Sequence, residues 1–266
     1  MRDELKEVQR IAREAGAILL KYYAADAAVE WKAPGDPVTV ADREASDLIV
    51  RELQRAFPGD GILSEEMADD PLRVEQSRVW MVDPMDGTRE FIAGRDDFAV
   101  MIGLLVDGAP QLGVVYQPRT GKLYSAAAGL GSTLEAGTGN RVLHVSPQEV
   151  ASNMTIAMSR SHRSGRVDQI AQQLRIPKEI RMGSVGLKVG LICEGLAHLY
   201  IHLGDKTHLW DTCAPEAILA EAGGRMTDVH GDRLVYTERE MRNENGVVAS
   251  NGALHDRAIR VIQQLL

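Results

Sequence analysis

The chain has 266 residues, enough for one large domain or for two half-sized units sharing a core. Its 44% hydrophobic and 26% charged residues exclude a disordered or fibrous protein. With 30 Lys and Arg against 38 Asp and Glu, the net charge of -8 argues against binding to nucleic-acid polymers or anionic membranes, yet leaves small anionic substrates open, because bound cations invert the field of an acidic site.

The opening "MRDELKEVQRIAREAGAILLKYY" sets Leu5, Val8, Ala12, Ala15, Leu19 and Tyr22 on one stripe, which predicts a packed amphipathic helix and not a signal peptide. "EWKAPGD" reads as a mobile connector, with Lys32 a candidate lid residue. "ADREASDLIVRELQRAF" is helical in period and stops at Pro58-Gly59, so Asp42 stands at a helix start. "RVWMVD" predicts a strand running into "VDPMDGTREF", and "FAVMIGLLV", "QLGVVYQP" and "KLYSAAA" predict an antiparallel meander. The Gly-, Ser- and Thr-rich "LGSTLEAGTGNRVL" is the expected junction between an N-terminal α+β unit, residues 1–138, and a C-terminal α/β unit, residues 139–266. Beyond it, strand and helix alternate: "NMTIAMSR", "GRVDQIAQQL", "GLKVGLICEG", "AHLYIHL", "WDTCAPEAILAEAGG", "GVVAS" and a closing helix. The expected class is layered α/β with mixed sheets. Cys193 and Cys213 are too few for a disulfide framework, no apolar run reaches membrane-spanning length, and the glycosylation triplet Asn153-Met154-Thr155 lies in a strand-like run; a cytoplasmic enzyme is expected.

Four acids stand at element edges: Glu65 in "ILSEE", Asp83 and Asp86 in the turn, and Asp211 in "WDTCAPEAIL". Each has an ordinary reading. Pro-Met-Asp-Gly is a good β-turn, Asp211 and Asp42 suit helix caps, with Pro215 in a first turn, and Glu65 and Glu66 suit a solvated loop. As a set they point elsewhere, since carboxylates gathered at strand ends repel unless cations neutralise them. Oxygen-only donors favour Mg²⁺, which can polarise a phosphoryl group and help to generate the attacking hydroxide. If a helix starts at the turn, Gly87 and Thr88 present amides to phosphate, and a Thr–Asp pair can orient and deprotonate a water.

These motifs resemble the lithium-sensitive, Mg²⁺-dependent phosphatases of the inositol monophosphatase superfamily, which include the 3'(2'),5'-bisphosphate nucleotidases. The likeness runs from "DPVTVAD" through "ILSEE", "WMVDPMDGTREF" and "GVVYQP" to "WDTCAPEAILAEAGG". It implies an αβαβα sandwich of two mixed sheets. It also implies two or three Mg²⁺ ions, with Mn²⁺ a possible substitute, held by Glu65, Asp83, the Met85 carbonyl, Asp86 and Asp211. Thr88 and Asp42, with Glu65, would be catalytic, and Gly87, Thr88 and Asp211 would face the substrate.

Four further features resemble the nucleotidase branch: "DGTREF"; "SRSH", with Arg160 and His162; "GSVGLK", with Ser184 and Lys188; and His202 in "YIHLG", where inositol enzymes present a glutamate. A second phosphate needs cations, which Arg160, His162 and Lys188 would supply. Val185-Gly186 and "GDKTHLW" depart from that branch's pattern. His198 and His202 are four apart, but on a strand with no adjoining acid they make a poor zinc site. The implied activity is removal of the 3'-phosphate of adenosine 3',5'-bisphosphate, linked to sulfate assimilation, with an inositol or sugar phosphatase as the alternative and a catalytically silent phosphate-binding scaffold as a third. The implied partner is a small phosphate ester, with no nucleic-acid polymer and no stable membrane association, and the state is a monomer or homodimer.

Overall fold

The computed structural model describes residues 1–23, 29–33, 36–161 and 164–266. The two amphipathic stretches form helices α1 (Arg2–Tyr23) and α2 (Val40–Ala56), whose stripes meet: Val8, Ile11, Ala15 and Leu19 share an apolar cluster with Ala41, Ala45, Ile49 and Leu53. Between them, where the sequence suggests a loop, the backbone makes an antiparallel pair, β1 (Val29–Ala33) and β2 (Asp36–Thr39). The β-branched and aromatic residues Val29, Trp31, Val38 and Thr39 favour extended backbone there. The side chain of Lys32, the candidate lid residue, lies outside the described residues.

Seven strands then join one sheet in chain order: β3 (Gly61–Ser64), β4 (Arg78–Asp86), β5 (Ala99–Val106), β6 (Ala109–Gln117), β7 (Lys122–Ala127), β8 (Gly131–Ala136) and β9 (Gly139–Leu143). β3 and β4 are parallel and the remaining pairs antiparallel. A short helix, α3 (Thr88–Ile92), follows β4. The glycines of the expected junction near residue 138 shape the turn of the β8–β9 hairpin, and the passage to the second sheet lies within residues 144–154.

The second half contributes β10 (Thr155–Ser159), α4 (Gly165–Leu174), β11 (Lys178–Met182), α5 (Val185–Cys193), β12 (Leu199–His202), α6 (Leu209–Glu221), β13 (Arg225–Thr227), β14 (Val247–Ser250) and α7 (His255–Leu265). Its five-stranded sheet runs β11-β10-β12-β14-β13, with β10 parallel to both neighbours and β14 antiparallel to both of its own.

Alternation along the strands assigns the layers. On β5, Val100, Ile102 and Leu104 face α1 and α2, while Ala99 and Met101 face α5 and α6. The second sheet presents Ala157, Tyr200, Val247 and Ala249 to that same inner helix layer, and Ile156, Leu199, Ile201 and Val248 to α4 and α7. The result is the αβαβα sandwich.

The inner helices lie unusually close to the first sheet. Gly103 and Gly113 pair across β5 and β6, and a Cβ on Gly113 would sit 2.2 Å from the Ala214 carbonyl oxygen of α6. α6 begins at Leu209, so Pro215 lies beyond the first turn, contrary to the sequence reading. Its missing N–H frees the Asp211 carbonyl from a helical bond.

Candidate active site

The site forms where β3, β4, α2 and α6 end or begin. β4 carries Asp83, 2% exposed, into the turn, where its Oδ1 accepts the Met85 N–H at 2.9 Å. Register against β5 slips between Asp83 and Asp86, which turns Asp86 toward the α5 start. There its Oδ2 accepts the Ser184 hydroxyl at 2.6 Å and the Gly186 N–H at 3.0 Å. Gly87 caps α3 with φ 103°, a conformation that glycine adopts without strain. Asp211, third residue of α6, takes the His208 N–H on Oδ2 at 2.7 Å.

Oxygens of Asp83, Asp86 and Asp211 lie within 4.8 Å of one another, and Asp83 is within hydrogen-bond reach of Asp211. Glu65, fixed by its N–H on the Val82 carbonyl at 3.1 Å, lines the same cavity from the end of β3. Burial, and then the charge of neighbouring carboxylates, hold Asp83 and Asp211 well above the ordinary carboxylate range. Burial also raises Asp86, against the pull of Lys188 and the donors from Ser184 and Gly186. Carboxylates this crowded and buried, offering oxygen donors, fit a hard divalent cation.

Beside them, Thr88 Oγ1 stands 3.1 Å from Asp42 Oδ1 and 3.2 Å from the Met85 carbonyl. Asp42 spends its other oxygen on the Thr39 N–H and hydroxyl, at 2.7 and 2.6 Å, a capping box at the start of α2. Burial raises Asp42 to about 6, with the Thr39 bonds opposing. Lys188 is 1% exposed, donates to the Gly183 carbonyl at 2.5 Å and lies over the Tyr200 ring. Burial lowers it to about 8, with Asp86 opposing.

Glu65, Asp83, Met85, Asp86, Gly87, Thr88, Lys188, His202 and Asp211 thus line one cavity of about 660 Å³, and Asp42 reaches it through Thr88. Two expected substrate residues have protein partners in the structure. Arg160 does not line the cavity; its Nε donates to Asp97 at 2.8 Å, and Asp97 also takes the Gly183 N–H at 2.8 Å. Ser184, fully buried, holds Asp86 and caps α5 through the Leu187 N–H at 3.1 Å. His162 lies outside the described residues. The neighbouring Ser161 hydroxyl donates to Glu90 of α3, so "SRS" and "REF" meet each other. α5 packs tightly at Gly186: a Cβ there would meet the Met101 sulfur at 2.5 Å.

Sequence reading missed the cavity's outer wall. Asp205, Lys206 and Arg242 line its mouth, and the His208 ring lies flat on Trp210, with centroids 4.6 Å apart and planes at 6°. "GDKTHLW" carried a signal in its Lys-Thr-His, but Arg242 comes from an irregular segment, distant in sequence, that meets the loop at an isolated bridge to His208. His198, which accepts the Thr155 N–H on Nδ1 at 3.1 Å, is a strand-end polar residue.

Comparison with known proteins fits this geometry. The inositol monophosphatase family model matches residues 1–266. A 3'(2'),5'-bisphosphate nucleotidase CysQ of Escherichia coli O157:H7 is 38% identical over 89% of this chain and 95% of its own length. Among solved structures, the Thermotoga maritima IMPase superposes with a TM-score of 0.85 at 25% identity, covering 99% of this chain and 98% of that one. CysQ from Bacteroides thetaiotaomicron superposes with a TM-score of 0.80 at 26% identity, covering 94% and 97%. The chain therefore belongs to the inositol monophosphatase family and is a phosphatase of the kind that includes the bisphosphate nucleotidases.

Proposed function

We propose that the protein is a Mg²⁺-dependent phosphomonoesterase that removes the 3'-phosphate of adenosine 3',5'-bisphosphate, giving AMP and phosphate, a reaction linked to sulfate assimilation. The observation that carries the reading is the three-aspartate cluster beside the Thr88–Asp42 pair. Asp83, Asp86, Asp211, Glu65 and the Met85 carbonyl would hold Mg²⁺, two or three ions in all, which supply charge neutralisation and Lewis acidity at the transferred phosphoryl group.

The protein's own groups account for the rest. Thr88 orients the attacking water and passes its hydroxyl proton to Asp42 Oδ1 as it takes one from the water. A base held at about 6 by burial is matched to work near neutral pH. The Gly87 and Thr88 amides at the start of α3 bind the phosphate. Ser184 and the Gly186 amide keep Asp86 in one orientation, and Asp97 holds the loop on which they sit. Nucleotide is favoured over inositol by the cations at the cavity mouth, by the flat His208–Trp210 wall suited to a base, and by His202. CysQ relatives at 31 to 38% identity support the same choice.

The test is a substrate panel with purified protein and Mg²⁺: adenosine 3',5'-bisphosphate, inositol 1-phosphate and fructose bisphosphate. The bisphosphate nucleotide is expected to give the highest kcat/KM; much faster release from inositol 1-phosphate would refute the reading. Asp86→Asn should lose most of the activity in a folded protein.

A further inference from the structure

We infer that Arg73 is a positioning residue for the metal site: its buried guanidinium, outside the lining of the cavity, fixes how far Glu65 stands from Asp211. The inference rests on the Mg²⁺ reading proposed above.

Glu65 and Asp211 reach the cavity from different layers, the end of β3 and the first turn of α6. Behind each runs an irregular segment. After Glu65, residues 66–70 lead into a short helical turn, Pro71–Glu75, capped by Asp70 through the Leu72 N–H at 3.0 Å. On the Asp211 side, the segment between β13 and β14 holds the start of α6. Leu209 N–H donates to the Met241 carbonyl and Asn243 N–H to the Thr207 carbonyl, each at 2.8 Å. The Asn243 side-chain amide donates to the His208 carbonyl at 2.8 Å.

Arg73 joins the two segments. It is 2% exposed, and its Nε donates to Asp69 Oδ1 at 2.6 Å, on the Glu65 side. Its Nη1 and Nη2 donate to the Glu238 and Arg239 carbonyls at 3.2 and 3.4 Å, just before Met241. Apolar contact brings the same regions together, since Leu63, Leu209, Trp210 and Tyr236 share a cluster. Such contact is non-directional and permits sliding, whereas a planar fork with acceptors on both segments does not. Burying an arginine carries a desolvation cost that its partners only offset, so stability alone is a poor reason for this residue. An apolar side chain of similar volume would hold the segments together; it would lack the fixed spacing.

The experiment measures Mg²⁺ binding by calorimetry and Mn²⁺ binding by the spectrum of the free ion, on the purified chain without substrate. Arg73→Met keeps the volume and loses the fork, Arg73→Lys keeps the charge and one point of attachment, and Leu174→Ala is a core truncation in the α4–α7 layer. Arg73→Met should raise the Kd about tenfold and Arg73→Lys about threefold, at or below the lower end for groups that orient metal ligands from behind. Leu174→Ala should lower the melting temperature and leave the Kd unchanged. Charge alone predicts the opposite sign for Arg73→Met, because removing one cation tightens the binding of another. An unchanged or lowered Kd in Arg73→Met, or in Arg73→Lys if the methionine variant does not fold, overturns the positioning role and leaves the Mg²⁺ reading standing. A wild-type chain that binds neither ion overturns both.

Discussion

Gly113→Ala tests whether helix-to-sheet contact sets the position of Asp211. The added Cβ would meet the Ala214 carbonyl oxygen at 2.2 Å, its carbon at 2.9 Å and its Cα at 3.0 Å. Carbon contacts settle at about 3.5 to 4.0 Å, so the helix would have to recede by roughly 1 Å or more. No side chain can swing away, because the obstacle is backbone. Overpacking costs about 1 to 3 kcal/mol, and a backbone obstacle puts this site near 3. At roughly 2 to 4 °C per kcal/mol for a chain of this size, the melting temperature should fall about 6 to 12 °C. Because α6 carries Asp211, whose oxygens sit within 4.8 Å of Asp83 and Asp86, the Mg²⁺ needed for half-maximal activity should also rise. Gly165→Ala is the control: it starts α4 with nothing within 4 Å and should melt within about 2 °C of wild type. If Gly113→Ala behaved like that control, in both melting and Mg²⁺ requirement, the close-contact reasoning would be wrong.

Ser184→Ala removes the donor to Asp86 and the α5 cap together, so Mg²⁺ half-saturation should rise about 10- to 100-fold and stability should fall about 1 kcal/mol. A change confined to substrate KM would instead return Ser184 to the substrate wall. Thermal melting should respond to the metal: Mg²⁺ at a hundred times its Kd should add about 2.7 kcal/mol, EDTA should reverse the gain, and Asp86→Asn should shrink it. A melting temperature indifferent to both reagents would count against a cation in the acidic cluster. Glu216, 2.6 Å from the Tyr236 hydroxyl, is pushed up by burial to about 7 from an ordinary 4.5. The folded state therefore holds this proton to about pH 7 while the unfolded chain releases it near 4.5, so stability is lost as pH rises between the two and stays lost above. Glu216→Gln should gain about 1 to 2 kcal/mol at pH 8 and little at pH 4, measured by denaturant melts; parallel stability–pH curves would refute this.

Periodic, one-sided elements were legible in the sequence. The stripes of α1 and α2 and the apolar runs of β4 to β7 mark long segments with a buried face, and each formed where its pattern lay. Segments whose fate depends on a partner were not legible. "KEIRM" is rich in charge, and β11 is a sheet edge exposed at Lys178, Glu179 and Arg181. "GSTLEAGTGNRVL" looked like a junction because its turn glycines and small residues outweighed two short strands that exist only as a hairpin on β7. The partners of the expected substrate wall were illegible for a related reason. Arg160 and Ser161 look free to meet a nucleotide until Asp97 and Glu90, more than 60 positions away in sequence, arrive as their partners.

The acids, by contrast, make the local bonds of their ordinary readings and still converge on one site. Asp42 is a cap, as its place at a helix start suggested, and capping consumes only Oδ2; Oδ1 remains for Thr88. Asp211 holds the His208 N–H on one oxygen in the first turn of α6, and Asp83 is a turn residue through the Met85 N–H. Each carboxylate has two oxygens with about four acceptor sites, so a local bond leaves capacity for the site while fixing the rotamer. Fixing the rotamer matters because these groups are buried and mutually repelling, and an unrestrained carboxylate would swing toward solvent. The turn and the caps are therefore the means by which acids that would otherwise separate are kept converged, and removing the local bond should disperse the cluster as surely as removing an acid.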